Sequence, residues 1–160
     1  MSSAENGGGQ PGISIRVSIP RQRLELLRDG EPVVSYPIST SKFGIGTELG
    51  SFRTPTGRFR VEEMIGDGAP PWAVFKGRQP TGEIASPGGE GDHVLTRILW
   101  LGGLDPENAN TRERYIYIHG TNQEDQIGFP ASHGCVRMRN SDIIDLFARV
   151  APGTPVEILA

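Results

Sequence analysis

The chain is poor in the residues that redox, metal and membrane chemistry require. Its 160 residues hold one cysteine and three histidines, so no disulfide forms within it and folding does not depend on an oxidising compartment. No apolar stretch approaches the roughly 18 residues of a membrane-spanning helix. The polar, glycine-rich start from Met1 to Gly12 has no basic cluster followed by an apolar run, so it does not read as a secretory signal. Positive charge is also short. Sixteen Lys and Arg against 19 Asp and Glu leave a formal net charge of −3, which argues against nucleic acid or an anionic membrane surface as a general partner. If Met1 is the native start, the cytoplasm is expected; if an export signal has been trimmed away, the cell envelope or periplasm is.

Turn-forming residues are abundant. Twenty-two glycines and 13 prolines imply many turns and short strands rather than long helices, and the length suits one domain. Residues 1–11 read as a flexible tail and 12–160 as the folded domain. Ile13, Ile15, Val17 and Ile19 alternate with polar residues, the period of a half-buried strand. The segments 23–28 and 31–38 flank Asp29-Gly30, a two-residue hairpin signal. Further strands are expected at 57–62, 94–101, 115–118 and 156–159. Residues 66–93, interrupted by Pro70-Pro71, Pro80 and Pro87-Gly88-Gly89, read as a long irregular loop. Trp72 and Phe75 favour an ordered flap there, and a lid is one expectation for it. One helix is expected from about Ser141 to Val150, capped by Asn140 or Ser141, with Ile143, Ile144, Phe147 and Val150 on its apolar face.

The single cysteine lies in Pro130-Ala131-Ser132-His133-Gly134-Cys135-Val136-Arg137-Met138, and His119 ends the strand-like run Tyr115-Ile116-Tyr117-Ile118. A thiol attacks as thiolate, so a nucleophilic cysteine needs a base or a positive environment. Alternation places Tyr115, Tyr117 and His119 on one face and the isoleucines on the other. Gly120 allows close backbone approach, and its carbonyl is placed to orient the imidazole. Gly134 permits a tight turn in which the Gly134 and Cys135 amides converge as oxyanion donors. Arg137 is suited to anchoring a carboxylate. A zinc reading of His119, His133 and Cys135 lacks the usual spacing and a fourth ligand, so no metal is expected.

The string Ser132-His133-Gly134-Cys135-Val136-Arg137-Met138 resembles the signature of the L,D-transpeptidase, or YkuD-like, family. Ile118-His119-Gly120-Thr121-Asn122 resembles its second motif; Ser39-Thr40-Ser41 and Thr54-Pro55-Thr56-Gly57-Arg58-Phe59 resemble its N-terminal half. The resemblance spans residues 13 to 159. It implies a mostly-β, β-sandwich-like fold with one principal helix after the cysteine loop, acting on peptidoglycan stem peptides or muropeptides without a cofactor. It assigns Cys135 as nucleophile, His119 as base oriented by the Gly120 carbonyl, and Gly134 and Cys135 amides as the oxyanion hole. Ser132 and His133 fall in the active-site wall, and Arg137 contacts substrate. It further implies acylation by carbapenems and a thioester formed as a terminal D-alanine leaves. An amine acceptor makes this a transpeptidase, and water makes it an L,D-carboxypeptidase trimming recycled tetrapeptides. A non-catalytic peptidoglycan-binding module is the third possibility, against which the intact His119 and Cys135 argue.

Overall fold

Alternation sets the first strands. In the computed structural model, which describes residues 12–160, Ile13, Ile15 and Val17 are buried while the polar residues between them are half-exposed. The tail expected over residues 1–11 lies outside the described residues. The chain runs β1 (Ile13–Ser18), β2 (Arg23–Arg28), β3 (Glu31–Ser39), β4 (Gly57–Ile65), β5 (Ala73–Lys76), β6 (Gln79–Ile84), β7 (Val94–Gly103), β8 (Tyr117–Gly120), β9 (Val136–Met138), α1 (Asn140–Arg149) and β10 (Pro155–Leu159). Asp29 and Gly30 both have positive φ, 52° and 82°. That is the primed turn whose twist matches the β2–β3 hairpin.

The ten strands form one sheet in the order β4-β10-β1-β2-β3-β9-β8-β7-β5-β6, and a further β4–β7 pairing closes it. The expected sandwich-like core is therefore the inside of a closed sheet, filled by Ile15, Leu24, Phe59, Leu99, Ile118 and Met138 among others, with Ile143 and Leu146 of α1 joining them. Each such side chain contributes about 1.5–3 kcal/mol through burial. Strand β7 is buried on both faces. Leu99 and Leu101 enter this core, whereas Ile98 and Trp100 build a second cluster with Ala73, Phe75 and Tyr117, against which Cys135 packs. Burial on both sides is why its sequence reads as a continuous apolar run rather than alternating.

Three elements differ from the sequence-based expectation. Residues 66–93 are not irregular throughout. They contain the β5–β6 hairpin, turned by Gly77 and Arg78 with φ of 54° and 63° and attached to β7 through Val74 and Phe75. β6 is an edge strand exposed along its whole length, so no alternation marks it. Strand β9 has only three residues and is defined by its neighbours β3 and β8. Tyr115 precedes β8 rather than belonging to it, at a φ of 57°. The alternation beyond it holds, since Ile116 and Ile118 face the main core and Tyr117 the second cluster.

Helix α1 starts at Asn140 without a side-chain cap from its N-cap residue Arg139. Its first amide donates instead to Glu124 Oε2 at 2.7 Å, a carboxylate from the short 3-10 turn Glu124–Gln126. Negative charge at this end also complements the helix dipole. The buried Asn140 side chain donates to Thr121 O and Glu124 Oε2, both at 2.8 Å, and accepts from Thr96 Oγ1. It thereby fastens the helix to the segment after β8 and to β7. Replacing Asn140 by Ala strands buried partners at about 1–3 kcal/mol each. We expect a lower urea midpoint with an unchanged m-value.

Candidate active site

Two short strands position the chemistry. β8 and β9 run parallel, with Ile118 opposite Val136, His119 opposite Arg137 and Gly120 opposite Met138. A parallel pair needs a long crossover, and the segment between β8 and β9 carries Ser132, His133, Gly134 and Cys135. Because side chains alternate, His119 and Arg137 share a face of the sheet, and Cys135, two residues before Arg137, enters it from the same side. The register thus sets His119 beside Arg137, and Cys135 Sγ meets the same strand β8 at the Tyr117 amide.

Serine and threonine side chains hold the cysteine turn. Ser132 is fully buried. Its Oγ donates to Cys135 O at 2.7 Å and accepts from Gly134 N–H at 3.2 Å. Thr54 Oγ1 donates to Gly134 O at 2.9 Å and accepts from Ser41 N–H at 3.0 Å. Ser39 Oγ donates to Phe129 O at 2.6 Å. The Ser39-Thr40-Ser41 and Thr54-Pro55-Thr56 motifs are therefore braces for the Cys135 loop. Gly134 sits at a φ of 121°, and a Cβ there would come within 3.3 Å of Arg53 O, so both conformation and space call for glycine.

His119 is 1% exposed, and its Nδ1 lies 2.6 Å from Gly120 O. A carbonyl only accepts, so Nδ1 carries the hydrogen and Nε2 keeps its lone pair. Burial holds the imidazole below its ordinary pKa, with the Asp92 carboxylate and the Gly120 carbonyl pushing the other way; at neutral pH the ring is uncharged. Cys135 Sγ accepts from Tyr117 N–H at 3.2 Å and donates to Tyr115 O at 3.3 Å. Burial pushes the thiol up to about 12, opposed by the Tyr117 amide. The resting pair is neutral thiol and neutral imidazole.

Arg137 is 1% exposed. It reaches Asp92 Oδ1 at 3.0 Å through Nη2, and Gln126 Oε1 at 2.9 Å and Gln123 Oε1 at 3.3 Å through Nη1. In this structure its contacts are made within the chain rather than on an open surface. His133 lies at the rim, with Nδ1 3.3 Å from Asp92 Oδ2 and its ring 6.0 and 5.7 Å from those of Phe43 and Phe52.

Asp92 is the site residue that sequence reading missed. Burial works to raise its carboxyl, yet the nearby His119, Arg137 and His133 together hold it below the usual range. Its loop is clamped by Asn122, which donates to Gly88 O at 2.8 Å and accepts from His93 N–H at 3.2 Å. An acid 41 positions before His133 in a glycine-rich loop carries no signal of its own; only Asn122, beside the His119-Gly120 motif, hinted that this neighbourhood was organised. No group of three or more His, Cys, Asp or Glu among the described residues could hold a metal ion. No helix among them is long and apolar enough to cross a membrane.

The profile of the YkuD family, the L,D-transpeptidase catalytic domain, matches residues 12–158. The chain belongs to the L,D-transpeptidase catalytic-domain family. It is 31% identical over 155 residues to YcfS of Escherichia coli, named a probable L,D-transpeptidase, covering 93% of this chain and 44% of that protein. An L,D-transpeptidase from Mycobacterium smegmatis superposes with a TM-score of 0.62 at 20% identity, covering 93% of this chain and 59% of that one. L,D-transpeptidase 3 from Mycobacterium tuberculosis, solved in complex with a faropenem-derived adduct, superposes with a TM-score of 0.60 at 16% identity, over 94% of this chain and 61% of that one. The chain thus spans less than two thirds of each of these relatives. At such identities the two solved structures establish the shared fold.

The neutral thiol has a spectroscopic consequence for this L,D-transpeptidase domain. With a pKa pushed up to about 12, thiolate forms only as pH rises toward that value. We expect the thiolate absorbance near 240 nm, read as wild type minus Cys135→Ser, to be absent at pH 8 and still rising at pH 10. A plateau near neutrality would show a standing thiolate instead.

Proposed function

We propose that this domain performs cysteine acyl transfer on peptidoglycan stem tetrapeptides, cleaving the bond before the terminal D-alanine. The observation that carries the reading is the tautomer fixed by the Nδ1 contact with Gly120 O. It leaves Nε2 as a proton acceptor on the face of the sheet that Cys135 enters. Family membership supports the substrate class, and the faropenem-derived adduct of the Mycobacterium tuberculosis relative supports covalent chemistry.

In this mechanism Cys135 Sγ leaves the Tyr117 amide and Tyr115 carbonyl, and its proton passes to His119 Nε2 as sulfur attacks the scissile carbonyl. Proton transfer within the attack avoids a standing buried thiolate, which the site disfavours. The tetrahedral oxyanion takes the Cys135 amide. The Gly134 amide, bound to Ser132 Oγ in the resting state, joins it when that serine releases it. The carbon–nitrogen bond then breaks, D-alanine takes the proton from His119, and a thioester remains on Cys135. An amine or water, deprotonated by His119, attacks the thioester and returns the sulfur to the thiol. Ser132 and His133 form the wall of the site. Arg137 acts through its positive charge and its hold on Asp92, since its guanidinium is buried.

Incubation with disaccharide tetrapeptide, read by mass spectrometry, is expected to release free D-alanine. Cross-linked dimers identify an amine acceptor, and tripeptide alone identifies water. No D-alanine release together with intact peptide binding would leave a binding module. His119→Ala is expected to reduce kcat by about two to four orders of magnitude, the range of general-base catalysis. A loss below about threefold would move that role to His133.

A further inference from the structure

A second arginine shares two tyrosine neighbours, Tyr115 and Tyr117, with Cys135. Arg78 stands in the β5–β6 turn. Its guanidinium carbon is 4.6 Å from the Trp100 ring centroid and 5.1 Å from that of Tyr115, and Nη1 donates to Tyr117 Oη at 3.1 Å. Aromatic faces hold a cation in place while leaving its remaining N–H donors available. The acid nearest to it in charge terms, Glu63, is already paired with Arg112, whose own guanidinium carbon lies 4.0 Å from the Trp100 centroid. Arg78 is left without a carboxylate partner among the described residues.

Arg78 also lines a cavity of about 360 Å³ with Phe75, Val94, Ile98, Tyr115 and Tyr117, and it is the one charged residue lining it. The same two tyrosines hold Cys135 Sγ through their main chains, by the Tyr117 amide and the Tyr115 carbonyl. An apolar floor, two phenol rings and one cation, on the tyrosines whose main chains meet Cys135, make a site for a small group bearing negative charge. A purely structural clasp between hairpin and sheet would need the stacking but not the cavity.

We propose that this cavity is a carboxylate subsite in which Arg78 binds a carboxylate of the stem peptide next to the scissile carbonyl. The inference rests on the peptide substrate proposed above. Two carboxylates flank that carbonyl: the terminal D-alanine carboxylate, close beside it, and the side-chain carboxylate of a diaminopimelate-type third residue, at the far end of that side chain. Both offer the same chemistry to a guanidinium, which pairs with them through parallel hydrogen bonds. Arg78 is on this reading a specificity-determining residue, and amidation of the peptide is what it discriminates against.

Binding to Cys135→Ala protein, which cannot turn over, provides the test. Calorimetric titration compares disaccharide tetrapeptide with its D-alaninamide form and with its side-chain amide, on Cys135→Ala and on Cys135→Ala with Arg78→Ala. Loss of Arg78 is expected to weaken the free acid about tenfold or more, the scale of one charge-assisted contact. One of the two amides is expected to show that weakening already with Arg78 present and no further loss without it, which identifies the carboxylate. Equal weakening of the acid and both amides would mean that only the hairpin had loosened, and overturns the assignment. So does a Kd for the acid that stays within about twofold, or no binding of the acid to Cys135→Ala at all. D-alanine release by the unaltered enzyme, measured alongside, reports separately on the proposed reaction.

Discussion

The parallel pairing of β8 with β9 is the constraint on which the site depends. The two strands have four and three residues, and neither has enough length to be stable alone. They persist because β7 and β3 flank them in a closed sheet and because Ile118, Val136 and Met138 are wholly buried. A slip of one residue would move His119 to the core face and bring an isoleucine to the site face. The hydrophobic pattern therefore fixes the register, and the register fixes which side chains meet. The buried hydroxyls of Ser132 and Thr54 then set the turn that delivers Cys135 to the same face.

Electrostatics follows from this burial. Placing His119 and Cys135 at the edge of the core favours the uncharged form of both. Asp92 and Arg137 compensate one another and act on both His119 and Cys135, and Arg114 adds positive charge at Cys135. A buried guanidinium without such a partner would cost several kcal/mol, so the loop carrying Asp92 and the strand carrying Arg137 depend on each other. The result is a cysteine held as a thiol rather than as a standing thiolate. The second cluster, built from Phe75, Ile98, Trp100 and Tyr117, gives Cys135 its apolar neighbours and links it to the β5–β6 hairpin.

Much of this was legible in the chain. Alternation in 13–19 gave strand β1, the Asp29-Gly30 turn gave the β2–β3 hairpin, and the 141–150 stripe gave the helix to within a residue. The cap was misplaced because the carboxylate of Glu124 arrives from another segment. The β5–β6 hairpin was hidden because an exposed edge strand containing a proline has no apolar period, and because its turn is Gly77-Arg78 rather than a usual hairpin dipeptide. Cys135, His119 and Gly120 stood out because a lone thiol and a histidine at a strand end are unusual in themselves. Asp92 and Arg78 did not, since an acid in a glycine loop and a basic residue in a turn are ordinary on any surface.

The sequence alone determined the mostly-β class and the family, because those rest on local periodicity and on contiguous motifs. Tertiary structure alone decided that Arg137 is buried on Asp92 and that Ser39, Ser41 and Thr54 brace the cysteine loop. It also decided that Arg78 stacks on Trp100 and bonds the hydroxyl of Tyr117, whose amide meets Cys135. Each of these joins segments far apart in the chain, and burial and charge at a site are sums over whatever the fold brings near it.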